Sequence, residues 1–316
     1  MATNIIISGI GAIGGYYGGM LAAYAQNLQS VNVYFFMREG EHLKSVQEKG
    51  LHLLSPSIDL HAKPRLATAD SHLLPQADYL FLATKSYNAR ENLEQLTSVI
   101  TPQTIVIPMH NGLDIPPMIQ EVLPDNLILP AVCHITGRRS RGTISVRSDD
   151  NLLKFGSDST LAHAITSEVI ERSEWLYTLL KASGIKCRLY REMAPYLREK
   201  YLMLSPSAVA TAYFDIPIGI VQNEHELEFR ALLKEIANLY RAAGWENDPF
   251  LEEKGYDLVL KMPREATTSM HSDILANNQS EIESLVGYVV RMAEHYNIEV
   301  PLYKKMYQTL LERIKR

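Results

Sequence analysis

In the stretch REKYLMLSPSAVATA, residues 198–212, Lys200 stands in apolar company. Tyr196, Leu197, Met203 and Leu204 lie three or four positions from it and share its face if the stretch is helical. An ammonium placed there either runs its methylene stem out to water or is retained for chemistry that uses its donors and its movable proton. Glu281 poses a similar choice. Ser280 and Glu283 have capping-box spacing, which predicts Glu281 in the first turn of a helix, where a carboxylate complements the dipole. The same position suits a carboxylate aimed into a cleft.

Two apolar runs end in polar residues: YLFLATKSYN in Thr84 and Lys85, and TIVIPMHNG in His110, Asn111 and Gly112. Ligands of open α/β sheets gather beyond the carboxyl ends of the strands. Lys85 is therefore a candidate contact for cofactor or substrate, and Asn111 can donate to or accept from a carbonyl or carboxamide. Both also fit ordinary loop chemistry, since Asn-Gly is a common turn dipeptide. His110 reads as a packing or loop residue. The basic cluster RRSRG, residues 138–142, lies between two strand signals and reads as a solvated connection that could edge an anionic site.

Gly9-Ile10-Gly11-Ala12-Ile13-Gly14 fits GxGxxG directly after the β-type run Ile5–Ser8 and at the opening of a helix. Glycines there allow a tight turn and bring a pyrophosphate close to the free N–H groups of the first helical residues, Gly11 to Gly14. A rival reading takes Ile5–Ala25, uncharged and long enough to span, as a membrane helix with Gly11, Gly15 and Gly19 as its packing stripe. The second β-type run, from Val31, favours the nucleotide loop, because a span would remove the first strand of the βαβ unit. That second run ends in VYFFMREG, placing Arg38 where dinucleotide sites choose between ribose hydroxyls and a 2′-phosphate. A guanidinium suits the phosphate, so the expected cofactor is NADPH/NADP+.

These groups need elements to hold them. Short β-type runs alternate with helical stretches up to about Tyr190: Asn4–Ser8, Val31–Met37, Tyr79–Ala83, Thr104–Pro108, Leu127–His134, Thr143–Arg147, Leu152–Phe155 and Lys186–Leu189. The runs at 143 and 152 are expected to pair antiparallel. Ser167–Ala182 reads as a helix ended by Gly184. Beyond Tyr190 helices take over, at about Pro195–Tyr213, His225–Ala243, Ser269–Leu275, Glu281–His295 and Leu302–Lys315, with breaks at Pro217, Gly219, Gly244 and Pro301. The prediction is an α/β domain with a mostly parallel sheet followed by an all-α domain.

The chain's 316 residues suit two domains. A net charge of −5 excludes a design for polyanions, and neither half is basic: 16 basic against 17 acidic residues up to position 190, and 15 against 19 after it. No nucleic-acid or membrane partner is expected. Cys133 and Cys187, without metal-ligand spacing, read as thiols in a reducing compartment, and no basic segment precedes the first apolar run, so a cytoplasmic protein is expected. A monomer or a homodimer fits equally.

Taken together, GIGAIGG, Arg38, Thr84-Lys85, His110–Gly112, the GRRSRG hairpin, the lysine of REK, TSMxxD at 268–273, SEIE at 280–283 and IEVP at 298–301 resemble, in order and spacing, the ketopantoate reductase (2-dehydropantoate 2-reductase) family over nearly the whole chain. The resemblance implies an NADPH-binding Rossmann-type N-terminal domain, residues 1–190, an all-α C-terminal domain, residues 191–316, and a substrate cleft between them. It implies reduction of ketopantoate to pantoate for pantothenate and coenzyme A synthesis, with Lys200 as general acid and Glu281 as its partner. Ser269 and Asn111 would bind substrate. Gly9, Gly11, Ala12, Ile13, Gly14, Arg38, Lys85, Asn111 and Glu281 would hold the cofactor. The family usually carries asparagines four and eight residues after the lysine and another before the glycine of the next loop. Here they are Leu204, Ala208 and Ile218, and the arginine usual before the glutamate motif is replaced by Asn278 and Gln279. Ser205, Ser207 and Thr211 are the residues nearby that could supply some of the lost hydrogen bonds, from a different helical face. Reduction of another small branched 2-oxo acid, or NADPH sensing without turnover, are the alternative functions.

Overall fold

The computed structural model describes residues 2–162 and 166–314. The chain divides into two compact units. One comprises Met1–His110 and Ile115–Tyr196, and the other Asn111–Asp114 and Leu197–Arg316.

The first unit runs β1 (Thr3–Ser8), α1 (Ala12–Ala25), β2 (Val31–Phe36), α2 (Glu41–Lys49), β3 (Leu51–Leu54), β4 (Asp59–Ala62), β5 (Leu66–Thr68), β6 (Tyr79–Leu82), α3 (Ala89–Gln95), β7 (Ile105–Pro108), α4 (Ile115–Val122), β8 (Ala131–Cys133), β9 (Gly137–Ser140), β10 (Thr143–Val146), β11 (Leu153–Gly156), α5 (Ser167–Ala182) and β12 (Cys187–Tyr190). Its main sheet is wholly parallel in the order β5-β2-β1-β6-β7. The chain winds outward from β1 on one side and then returns to β6 on the other, so the switch point lies beside β1. Successive strand residues feed opposite cores: Ile5, Ile7, Phe81, Ile105 and Ile107 go to one, and Ile6, Leu80, Leu82 and Val106 to the other. Burial on both faces explains why these strands read as unbroken apolar runs.

A second sheet, β4-β3-β10-β9, lies on the far side of α1. The glycines of α1 make that sandwich possible. A Cβ on Gly18 would lie 3.1 Å from Ile7 and 3.2 Å from Phe35 of the main sheet, while one on Gly15 would lie 2.6 Å from Ile144 and one on Gly19 3.3 Å from Leu51 of the second. The small-residue stripe that imitates a membrane helix therefore serves close helix–sheet packing, and the segment 5–25 is a strand, a turn and a helix.

The second unit is helical. Its elements are α6 (Ala194–Phe214, whose first three residues lie in the first unit), α7 (Ile218–Glu224), α8 (Glu226–Ala242), α9 (Leu251–Leu260), α10 (Ser269–Leu275), α11 (Tyr288–His295) and α12 (Pro301–Ile314). A π-helical turn, Glu283–Gly287, leads into α11. Side chains of α6 bond its carbonyls. The Tyr201 hydroxyl donates to the carbonyls of Ser284 and Leu285 at 2.9 and 3.0 Å, and Ser205 Oγ donates to Leu285 at 2.6 Å. Among the described residues no single helix is long and apolar enough to cross a membrane. α6 and α7 reach that length and composition only as a pair bent by 82°.

Four expectations are corrected. β10 and β11 do not pair: β10 lies between β9 and β3, and β11 between β12 and β8. Gly219 lies inside α7, where a Cβ would meet Arg264 backbone, so it marks a close approach rather than a break. The capping box is absent, because Ser280 Oγ is buried without a partner and Glu283 bonds Arg291 and Tyr307 instead. Residues 41–68, which showed no element in the sequence, form α2 and β3 to β5.

Candidate functional site

In the parallel sheet, Ser8 is level with Phe36 and with Leu82, and Leu82 with Pro108. The residues that follow, Gly9, Met37, Ala83 and Met109, therefore form one row at the carboxyl edge. Arg38, Lys85 and His110 come one or two residues further on. One edge of the first unit thus carries every one of its sequence-predicted site residues.

The three motif glycines differ in what they allow. Gly9 has φ +90°, and a Cβ there would lie 2.7 Å from the backbone of Ala83 and Thr84. A Cβ on Gly14 would collide with the Gly9 carbonyl oxygen and approach Ala83 Cβ at 2.8 Å. A Cβ on Gly11 would meet nothing within 4 Å. The outer two glycines thus set the turn and its packing, and the middle one faces open space. α1 starts there without a side-chain cap and without an acidic residue in its first turn. Its leading N–H groups, those of Ala12 and Ile13 among them, are a positive helix end that could hold an anion such as a pyrophosphate. Arg38 is exposed just past β2. This donor set fits a phosphorylated dinucleotide.

The turn is braced by His42, a residue the sequence did not single out. Gly142 N–H donates to His42 Nδ1 at 2.8 Å, which leaves Nε2–H to donate to the Ile10 carbonyl at 3.0 Å. Burial and the nearby Arg139 charge lower its pKa, and the Ile10 bond opposes them. Arg138, Arg139 and Arg141 lie on the hairpin of β9 and β10, whose start is close to α1: a Cβ on Gly137 would be 3.4 Å from Ala12. Thr84 Oγ1 lies 3.4 Å from His110 Nε2.

In the second unit, Lys200 is half-buried on α6, and its Nζ donates to Asn111 Oδ1 at 2.7 Å. The two residues are distant in sequence, and the structure brings them together. Asn111 comes with a short segment, 111–114, that is fixed by its other end. Ser284 Oγ donates to Asp114 Oδ2 at 2.9 Å, and a Cβ on Gly112 would lie 2.9 Å from Ser284 Cβ. Burial pushes the Asp114 carboxyl above the usual range; the Ser284 bond and the Arg291 charge pull it back, and the Glu281 charge adds to the rise. Neither Asp114 nor Ser284 carried a sequence signal beyond being polar.

Glu281 is buried, 5% exposed, and its carbonyl accepts from Leu285 N–H at 3.0 Å as the helical segment begins. Ser269 is exposed as the first residue of α10, where Thr268 caps the helix by accepting from His271 N–H. Leu204 is half-buried one turn beyond Lys200, and Ala208 and Ile218 are wholly buried in the unit's core. The hydroxyls near them are committed elsewhere. Ser205 bonds Leu285, Ser207 donates to Met203 carbonyl at 2.7 Å, and Thr211 donates to Ser207 carbonyl at 2.7 Å. Their protons are thus taken by backbone carbonyls within the helical unit.

Residues 5–159 match the family model described as ketopantoate reductase PanE/ApbA, and residues 192–313 the model of its C-terminal part. The chain is 24% identical over 313 residues to the uncharacterized oxidoreductase YkpB of Bacillus subtilis, covering 97% of each chain. It is 31% identical to the crystal structure of 2-dehydropantoate 2-reductase from Porphyromonas gingivalis, with a TM-score of 0.83 over 98% of this chain and 100% of the other. The ternary structure of D-mandelate dehydrogenase with NADH and anilino(oxo)acetate has the same fold, with a TM-score of 0.85 at 18% identity over 99% of each chain. The parallel sheet with its glycine turn and the helical unit with its lysine thus agree with matches that span both, and the chain belongs to the ketopantoate reductase family of NADP-dependent oxidoreductases.

Proposed function

We propose that the protein reduces 2-dehydropantoate (ketopantoate) to pantoate, with Lys200 as the general acid. The observation that carries this reading is the bond from Lys200 Nζ to Asn111 Oδ1 at 2.7 Å, which holds a half-buried ammonium in one orientation. Gly9, Gly11, Ala12, Ile13, Gly14, Arg38 and Lys85 would hold NADPH, with Asn111 and Glu281 as its further contacts. When bound, the cofactor supplies a hydride to the ketone carbon. Lys200 does the rest of the bond-making: its ammonium stabilises the charge developing on the carbonyl oxygen and gives it a proton, leaving the hydroxyl and a neutral amine. Asn111 orients that ammonium. Glu281 is assigned to align the lysine or to bond the new hydroxyl, and Ser269 to hydrogen-bond the substrate.

The decisive assay follows NADPH oxidation by the purified protein with ketopantoate and a panel of 2-oxo acids. General acids of this kind contribute roughly 10²–10⁴-fold. Lys200→Ala should lose kcat on that scale and keep its NADPH affinity; a near-normal kcat would refute the assignment. A second reading, reduction of a different small 2-oxo acid, is favoured by Leu204, an apolar side chain one turn from the lysine. It predicts turnover of another panel member in preference to ketopantoate. NADPH binding with no turnover on any substrate would leave a sensor.

A further inference from the structure

Away from the reductase machinery, three side chains of the β3–β4 hairpin are arranged as metal ligands. The antiparallel register sets His52 opposite His61 and Leu54 opposite Asp59. His52, His61 and Asp59 thereby share one face, while Leu51, Leu53 and Ala62 point the other way into the core beneath. The two imidazoles are stacked with centroids 4.2 Å apart and planes 6° from parallel. His52 Nε2 is 2.8 Å from Asp59 Oδ1, and one donor atom from each of the three residues lies within 4.8 Å of the others.

We propose that these residues form a surface Zn2+ site with two imidazole nitrogens and one carboxylate oxygen as ligands. Ligand type points to zinc: imidazole with carboxylate suits a borderline divalent ion, whereas Mg2+ and Ca2+ take oxygen shells. Three protein ligands leave one tetrahedral position to water. Metal–ligand bonds of about 2.0–2.2 Å set tetrahedral donors roughly 3.4 Å apart. The widest spacing must therefore close by roughly 1.4 Å, the His52–Asp59 pair must open slightly from 2.8 Å, and the ring nitrogens must converge. Rotation of the imidazoles accomplishes these shifts, and the Asp59 side chain is 75% exposed and free to follow. The strands supply the preorganisation, since the pairing of residues 52 and 61 is fixed by the ladder. A bound ion would displace the His52–Asp59 hydrogen bond. It would also cross-link β4, the edge strand of its sheet, to β3.

The test is calorimetric titration of the untagged, chelator-treated full chain with ZnCl2 and, separately, MgCl2. One equivalent of Zn2+ should bind saturably and raise the melting temperature, with no response to Mg2+. His52→Ala and His61→Ala should each weaken Zn2+ by about tenfold or more, and Asp59→Asn by less, with circular dichroism and reductase turnover unchanged. Absence of saturable binding would overturn the proposal. So would binding that His61→Ala leaves intact, which would locate the zinc elsewhere, for example at Cys187.

Discussion

The segment that brings Asn111 to Lys200 is itself anchored at its far end. Asn111 sits at one end of a four-residue segment, and Asp114 at the other end is tied to Ser284 in the π-helical turn. If that tie sets the asparagine, Asp114→Ala should lower kcat several-fold while the NADPH dissociation constant stays put. Asp114→Asn keeps an oxygen to accept from Ser284 Oγ and should restore most of the rate; Ser284→Ala should behave like Asp114→Ala. The pattern across the three variants is the check. Equal rates in all of them, or a loss of melting temperature with unchanged kcat, would reduce the contact to ordinary packing. Lys200 was legible in the sequence because a charge on an apolar helical face is conspicuous. Asp114 was not, because its contact with Ser284 spans 170 residues and leaves no periodic trace.

At the scale of elements, the glycine turn holds both packed and open positions within six residues. Gly14 has backbone on the far side of its missing Cβ, and Gly11 has open space. Gly14→Ala should therefore destabilise the protein by about 1–3 kcal/mol, the range for overpacking, with a lower melting temperature. Gly11→Ala should leave stability within about 0.5 kcal/mol and weaken NADPH by about tenfold or more, because only a ligand would meet the new methyl. Fluorescence titration and thermal melts on the two variants separate these effects; a Gly11→Ala protein that binds normally would place the phosphates elsewhere. Two helices were read to the residue: α5 and α10 have the predicted bounds. Half of the second sheet was hidden: β3 and β4 are four residues long and carry His and Asp on the solvent face, whereas β10 was read as the run Thr143–Arg147. The first two are too short for alternation to stand out. The π-helical turn was unreadable for another reason. Its register is held by Tyr201 and Ser205 from another helix, and SEIE by itself looks like a capping box.

For the molecule as a whole, acid stability contains a term that can be traced to one ring. His42 joins the glycine turn to the arginine-bearing hairpin, and it can do so only when neutral, since Nδ1 must accept from Gly142 while Nε2–H donates to Ile10. Burial and Arg139 lower its pKa below the ordinary 6.5. The unfolded chain then binds the proton more readily than the native one, so the slope of stability against pH is positive in this window. The contribution is complete above pH 6.5 and is lost as the pH falls through the depressed native value. His42→Gln makes the comparison clean, because its amide can donate to Ile10 and accept from Gly142 without titrating. Between about pH 7.5 and about pH 5.5 the wild type should lose more melting temperature than His42→Gln. NADPH affinity should fall over the same interval in the wild type alone, because the brace acts on the turn proposed to hold the cofactor. Parallel pH profiles for the two proteins would show that His42 does not carry the effect. A variant that melts far lower at every pH would show that the brace needs the imidazole's shape and not its neutral charge.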